Sequence, residues 1–323
     1  MLLGFDIGGT KCAIVLGKKE ISGNLQLIAR QVLPTGGPAY EMIERLFETA
    51  ETMLGEQSLS AAALDGIGIS CGGPLSSSRG LILSPPNLPG WDNIPMVALA
   101  EKRFGKKTVM QNDANACAMA EWKYGAGKGF NNIIFLTFGT GMGAGLILNG
   151  SLYEGASELA GEVGHMRLSG IGPVGFGKAG SFEGFCSGGG IAQLAQMKVR
   201  QKLQMGETVS FCSSLDELPG LTAKIVAEAA YAGDEVAIDI YNTCAAYLGR
   251  GLSILIDVLN PQRIIMGSIF GRARPLLEPV MKSVIEAEAL QGAYRACEIV
   301  PAGLEERIGD MATLTLAEMC YMD

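Results

Sequence analysis

The chain carries one local pattern twice, and that repetition limits its fold more than any other feature. Residues 2–16 read LLGFDIGGTKCAIVL, and residues 133–148 read IIFLTFGTGMGAGLIL. Each segment is an apolar run, a short turn rich in Gly and Thr, and a second apolar run, which is the pattern of a β-hairpin. Laid over one another, Asp6 meets Thr137 and Gly8 meets Gly139. A single glycine-rich turn is common and says little. Two of them, about 130 residues apart with a carboxylate or hydroxyl at matched places, predict two related halves holding one nucleotide between them.

Around the hairpins, strand and helix patterns alternate. Apolar side chains at Ile43, Leu46, Phe47, Ala50 and Leu54 follow a helical period over residues 40–54, with Gly55 as the expected stop. Ile67–Ile69, Thr108–Met110 and Arg263–Met266 read as short buried strands. Residues 114–124 read as a helix closed by Gly125, and Ala237–Leu259 as a long helix. Such alternation predicts an α/β architecture with helices covering the sheets. With 48% apolar residues among 323, the chain can bury the core this needs. Gly161–Gly190 stands apart, because eleven glycines in thirty residues argue against one regular helix or strand. The only histidine, His165, lies inside it with Glu162 and Glu183, so a binding loop is expected there rather than a surface insertion.

Charge and composition remove other classes. The formal net charge is −8 and no Lys/Arg cluster stands out along the chain, so a nucleic-acid surface is not expected. The first residues lack the basic and apolar regions of a signal peptide, and no apolar run reaches membrane-spanning length. A cytoplasmic location is expected. The eight cysteines are scattered without a C-x-x-C pair, which favours free buried thiols over disulfides.

Three constellations carry chemistry. In Asp6-Ile-Gly-Gly-Thr10-Lys11, Gly8 and Gly9 allow a sharp turn whose N–H groups, with the Thr10 hydroxyl, can face phosphate oxygens. Asp6 can hold hydrated Mg²⁺ beside them. In Gly139-Thr140-Gly141-Met142-Gly143, glycine at every second position permits close approach to a phosphate chain. An ordinary hairpin turn is the alternative for each, and their co-occurrence weakens it. In Gln111-Asn112-Asp113-Ala114-Asn115-Ala116, Asp113 ends a strand and starts a helix. Its carboxylate can project into the space beyond the strand ends or cap the helix, and the two roles are compatible, with Asn112 or Asn115 sharing the cap. A single histidine leaves little for a Ser-His-Asp or multi-histidine metal mechanism. Carboxylates and backbone donors suit phosphoryl transfer, in which one Asp can accept the proton of a hydroxyl.

Together these residues resemble the ROK family (repressors, open reading frames and kinases), and within it the sugar kinases of glucokinase type. The resemblance rests on DIGGTK at 6–11, GISCGGPL at 68–75, PNLPGW at 86–91, NDANACAMAEW at 112–122, LTFGTGMGAGLILNG at 136–150, AGEVGH at 160–165, DVLNPQRIIMGS at 257–268 and Gly309-Asp310-Met311-Ala312. It implies an α/β, two-lobed actin/hexokinase-type (ribonuclease H-like) ATPase fold. Residues 1–112 plus about 300–323 would form a smaller lobe and 113–299 a larger one, with the active site in the cleft between. It further implies ATP-dependent phosphorylation of a hexose hydroxyl, glucose favoured, with Asp113 as general base. Asn87, Asn112, Asp113, Glu162, His165 and Glu183 would meet the sugar hydroxyls, each of which offers a donor and acceptors. Asp6, Gly8, Gly9, Thr10, Lys11, Gly139, Thr140, Gly141 and Gly267 would lie along ATP, and Asp6 would hold Mg²⁺ through water. A homodimer is implied as well.

Two departures from the family pattern matter. Many members carry C-x-C-x4-C before the glutamate aligned with Glu183 and bind a structural zinc there. This chain has Val174, Phe176 and Ser181 at those places, so no zinc is expected, and Cys186 alone does not restore a metal site. Apolar contacts from Val174, Phe176 and Phe182 are expected to fix the loop instead, leaving His165 to the sugar. Gly267-Ser268 replaces a frequent Gly-Gly, and the small serine is expected to preserve nucleotide binding. The family also includes sugar-sensing regulators with a helix-turn-helix ahead of the phosphate loop. Here that loop starts at Asp6, which disfavours a regulator. Asp6, Thr10 and Asp113 disfavour a sugar-binding protein without catalysis.

Overall fold

The computed structural model describes residues 1–321. Strands β1 (Leu2–Ile7) and β2 (Lys11–Lys19) form the first hairpin, in register from Leu2 opposite Gly17 to Ile7 opposite Cys12. Strand β3 (Leu25–Pro34) adds to it antiparallel. The chain then crosses through helix Ala39–Glu56 to β4 (Gly66–Cys71), parallel to β1, and through helix Met96–Phe104 to β5 (Thr108–Asn112), parallel to β4. The second hairpin is β6 (Ile133–Phe138) with β7 (Met142–Leu148), followed by β8 (Ser151–Leu152). Strand β9 (Arg263–Met266) lies parallel to β6, and β10 (Glu298–Pro301) parallel to β9. The orders are β3-β2-β1-β4-β5 and β8-β7-β6-β9-β10. Counted from its first strand, each sheet runs third, second, first, fourth, fifth. The repeat in the sequence is therefore a repeat of sheet topology.

The chain packs as two units. The first holds residues 1–129, 152–158 and the stretch from Gly303, and the second holds 130–151 and 159–302. By this packing the helix Asp113–Tyr124 goes with the first unit.

In the first unit β1 is buried along almost its whole length, as expected of a strand covered on both faces. One cover is helix Ala39–Glu56, whose Met42, Ile43, Leu46, Phe47, Ala50, Met53 and Leu54 are buried at helical spacing. The Phe47 ring meets Phe5 and Phe104 edge-on, with centroids 5.7 and 5.3 Å away. This helix runs through Gly55 to Glu56 rather than stopping at Gly55. A glycine in the last turn costs only about 1 kcal/mol, and the packing of Met53 and Leu54 outweighs that.

The other cover is helix Ile308–Met319, buried from Asp310 to Glu318. It rests on strands stripped of side chains. A Cβ at Gly4 would fall 2.1 Å from Thr313 Oγ1, and one at Gly68 would fall 2.0 Å from the Thr313 carbonyl oxygen. Only glycine permits this approach. The same contact brings Gly309 to the end of β1, where a Cβ on it would lie 2.9 Å from Asp6 Oδ2. Fully buried Glu121 ties the start of this stretch down, accepting from the N–H groups of Ala126, Gly303 and Leu304 at 2.7, 3.1 and 2.8 Å.

In the second unit the long helix Glu235–Leu259 starts at Asp234, whose side chain accepts from Ala237 N at 3.0 Å, and ends at Asn260 with φ 43°. It packs against helix Ile269–Glu288. All eight cysteines are free and buried, matching the expectation. Among the described residues no helix is long and apolar enough to cross a membrane.

Replacing Gly68 by Ala forces Thr313 and its helix outward. Urea unfolding of that variant is expected to show a loss of about 1–3 kcal/mol, the usual cost of overpacking. Wild-type stability would show that the helix can lift without cost.

Candidate functional site

In the first unit the turn after β1 is pinned from below. Gly8 N–H donates to Lys11 O at 3.2 Å, Thr35 Oγ1 donates to Gly8 O at 2.6 Å, and Thr35 N–H donates to Thr10 O at 3.1 Å. Gly9, Thr10 and Lys11 stay exposed. Asn87 lies against this turn, since a Cβ at Gly9 would meet Asn87 O at 2.4 Å and Asn87 Cβ at 2.7 Å.

Asp6 sits one residue before the end of β1, opposite Ser70 of β4. Burial above all, and then the carboxylates of Asp113 and Asp310, push its pKa up to about 6, against the lowering effect of the Ser70 hydrogen bond and Lys11. The Asp113 and Asp310 carboxylates thus both act on Asp6, and Asp310 is itself paired with Arg30 Nε at 2.9 Å. A cation is the natural relief. Among the described residues, no group of three or more His, Cys, Asp or Glu side chains could hold a metal ion. Mg²⁺, an oxygen-seeking ion that keeps most of its water, can be held through a single carboxylate, and Asp6 is the residue that could hold it.

Asp113 begins its helix directly after the last residue of β5. The Ala114 N–H is shared by Asn112 Oδ1 at 3.0 Å and Asp113 Oδ1 at 2.8 Å. Both residues therefore cap, and Asp113 remains exposed while Ala114 to Glu121 are buried. Asn115 takes no part in the cap, because its Nδ2 donates to Gln111 Oε1 at 3.2 Å.

In the second unit the turn after β6 is held by Gly139 N–H donating to Gly141 O at 3.1 Å and by Gly188 N–H donating to Gly139 O at 2.8 Å. Glu183 Oε2 accepts from Met142 N at 3.0 Å, and a Cβ at Gly141 would lie 2.8 Å from that oxygen. Thr140 lies between these two anchored glycines and is exposed. The loop carrying Glu162 and His165 is clamped on β7. A Cβ at Gly161 (φ 91°) would fall 2.0 Å from Ala144 O, and one at Gly164 would fall 2.3 Å from Met142 O and 3.2 Å from Glu183 Cβ. Gly139, Gly141, Glu183 and the 161–165 loop are therefore neighbours. Thr137, the counterpart of Asp6, spends its hydroxyl on the backbone of Gly143 at 2.9 Å.

Gly267 follows β9 and donates its N–H to Leu136 O at 3.0 Å. Ser268 comes next with φ 52° and ψ −106°, a conformation that suits glycine. Its Oγ accepts from Arg272 Nη2 at 2.8 Å and would lie 3.7 Å from a Cβ on Gly139. The serine fits by size, and its strain is in the backbone.

The loop between 172 and 183 corrects one expectation. Val174 is 47% and Phe176 66% exposed, and only Phe182 is fully buried. Exposed side chains cannot fix a loop by apolar burial. Hydrogen bonds do it. Val174–Gly175 pairs with Lys178–Ala179, and the Gln193 amide accepts from Val174 N and donates to Val174 O, both at 2.9 Å. Ser181 Oγ accepts from Gly184 N at 3.1 Å. Phe176 instead lies edge-on to His165, with centroids 5.2 Å apart.

Ser70 and Asp310 were not singled out for the site by sequence reasoning. The available signals were the register of β4 beside β1 and the Gly309-Asp310 step at a helix start.

Two measurements check these electrostatic and backbone arguments. A carboxyl whose pKa is raised in the folded state gives stability present below its unfolded value near 4, lost as pH rises through about 6. Metal-free protein in EDTA is therefore expected to lose stability across that window, and Asp6→Asn to remove that part of the loss. An unchanged profile in the variant would assign the effect elsewhere. Ser268→Gly is expected to raise the unfolding free energy by about 1 kcal/mol through relief of the positive φ, read by thermal or urea unfolding. A destabilised variant would mean that the Arg272 contact outweighs the strain.

The pattern described as ROK family matches residues 2–319. A glucokinase of Halalkalibacterium halodurans is 31% identical over 292 residues, 89% of this chain and 86% of that protein. A ROK family glucokinase from Streptomyces griseus, solved with glucose and AMPPNP, superposes with a TM-score of 0.76 at 27% identity, covering 98% of this chain and 99% of that one. The DNA-binding transcriptional repressor Mlc of Escherichia coli is 28% identical over 278 residues, 86% of this chain and 66% of that protein. The fold is the α/β actin/hexokinase-type ATPase fold. With its family's pattern running from residue 2 to residue 319, the chain belongs to the ROK family.

Proposed function

We propose that the chain is an ATP-dependent sugar kinase that moves the γ-phosphoryl group of ATP onto a hexose hydroxyl, glucose first among the candidates. The observation that carries this reading is Asp113, an exposed carboxylate at a strand–helix junction with one oxygen fixed on Ala114 N–H. Similarity to glucokinases supports it. The family likeness also supports a cytoplasmic homodimer.

In this reading Asp113 accepts the proton of the attacking hydroxyl. Its fixed oxygen sets the direction of the carboxylate, so positioning is already built in. Asn87, Asn112, Glu162, His165 and Glu183 would offer donors and acceptors to the other sugar hydroxyls. Glu183 would link sugar and nucleotide, because one of its oxygens already holds the second glycine turn through Met142 N. The turns at Gly8–Lys11 and Gly139–Gly141 present backbone N–H groups to the phosphates, and Gly267 lies along the nucleotide. Asp6 would hold Mg²⁺ through water, and the ion supplies neutralisation of charge on the transferred group.

A sugar-sensing regulator is the second reading, favoured by the likeness to the Escherichia coli repressor. The two part cleanly in experiment. The kinase reading expects ADP release that needs both Mg²⁺ and a sugar, surveyed over a panel of hexoses. Asp113→Asn is expected to lower kcat by roughly 10²–10⁴ while sugar binding by calorimetry persists. Full turnover by that variant would reject Asp113 as the base. Retention on DNA at physiological salt, with no turnover of any sugar, would favour the regulator.

A further inference from the structure

We propose that Gln111 is a positioning residue for Asp113, with its amide holding the strand–helix junction and Glu154 holding the amide. The inference rests on the kinase reading. Strand β5 is the last of its sheet, so one side of its backbone has no neighbouring strand and its polar groups need other partners. Asn112 N–H finds one in Gln111 Oε1 at 2.8 Å. The same oxygen accepts from Ser77 Oγ at 3.0 Å and from Asn115 Nδ2 at 3.2 Å. The other end of the amide, Nε2, donates to Glu154 Oε1 at 2.8 Å. All four bonds surround a side chain that is 7% exposed.

This arrangement controls Asp113 because no loop residue separates strand from helix. Asn112 is extended, with φ −57° and ψ 145°, and Asp113 is already helical. The orientation of the peptide at 112 therefore sets where the next carboxylate points. Gln111 holds that peptide from outside the ladder and holds Asn115 one turn into the helix. The Asn115 Oδ1 is buried without a hydrogen-bond partner, so the bond to Gln111 is what orients that side chain. The segment bearing Glu154 is itself anchored, since Glu158 accepts from Ser77 N at 2.5 Å. Ser77 thus joins both ends of the network.

Polarity makes the idea testable. Only a carboxamide can accept three donors at one end and donate to a carboxylate at the other. Gln111→Glu keeps the shape and puts a carboxylate against Glu154. Asp113 and Glu158 near the junction are acidic too, and the nearby cation, Arg79, donates to Ser76 Oγ at 3.2 Å on the Glu158 side of the network rather than to Gln111 or Glu154. Two such carboxylates share one proton at low pH and repel when both ionise. In hexose-dependent ADP release, Gln111→Glu is expected to lose kcat by about 10–100-fold above neutral pH, the scale of a reacting group displaced by up to an ångström. KM for ATP should stay near wild type, and kcat should recover as pH falls, a limb the unaltered chain lacks.

The double variant Gln111→Glu/Glu154→Gln exchanges acceptor and donor across the same bond. It is expected to restore kcat to within about threefold and abolish the new pH limb, as conservation of one charge-assisted hydrogen bond requires. Wild-type kcat and pH profile in the single variant would overturn the inference, as would a loss the folded double variant does not repair. Failure of both variants to fold would make Gln111 merely structural and overturn it too. An unaltered chain that turns over no hexose would overturn the kinase reading itself, and this inference with it.

Discussion

The contact between helix Ile308–Met319 and the glycine floor of β1 and β4 governs the first unit. Side chains at residues 4 and 68 would hold that helix away from the sheet. Without them its backbone settles against the strands, and Gly309 and Asp310 arrive at the end of β1. Asp6 is thereby largely withdrawn from water and set near the Asp113 and Asp310 carboxylates, which together raise its pKa to about 6. A packing decision made by two residues without side chains becomes an electrostatic property of Asp6.

The two halves show how one topology diverges. Both sheets have the same strand order, and both turns after the first strand are rich in glycine. Yet the residues at the matched position do different work. Asp6 keeps its carboxylate in an acidic cluster, whereas Thr137 gives its hydroxyl to Gly143 of its own hairpin. The second turn takes its carboxylate from far along the chain, with Glu183 binding Met142 N. A topological repeat supplies two places where backbone N–H groups can face a ligand, and side chains from outside the repeat decide what each place does.

This division also explains what was legible in the sequence. The hairpins, the strands around Ile67–Ile69 and Arg263–Met266 and the long helix ending at Leu259 were readable because burial period and glycine turns are local signals. Capping at the start of helix Asp113–Tyr124 was readable for the same reason, although the choice between Asn112 and Asn115 was not. The Asp6–Ser70 pair depends on the register of two strands about sixty residues apart, and Asp310 on a helix docking from the other end of the chain. Neither leaves a periodic trace. The loop around Val174 and Phe176 was misjudged for a related reason. Apolar residues without period, set among glycines, do not say whether they face the interior. There the backbone satisfied itself through Gln193 and Ser181, and the apolar side chains stayed outside.

An acidic chain that handles anions also makes physical sense on these terms. A net charge of −8 gives no general attraction for a nucleotide. In the kinase reading affinity would come from local donors, the N–H groups of the exposed turn residues together with the Lys11 ammonium. In the same reading, the carboxylates near Asp6 would disfavour a bare polyanion and favour one that arrives with a divalent ion. The same repulsion burdens the metal-free fold at neutral pH. Closely packed glycine contacts elsewhere in the unit supply the rigidity that lets the cluster persist.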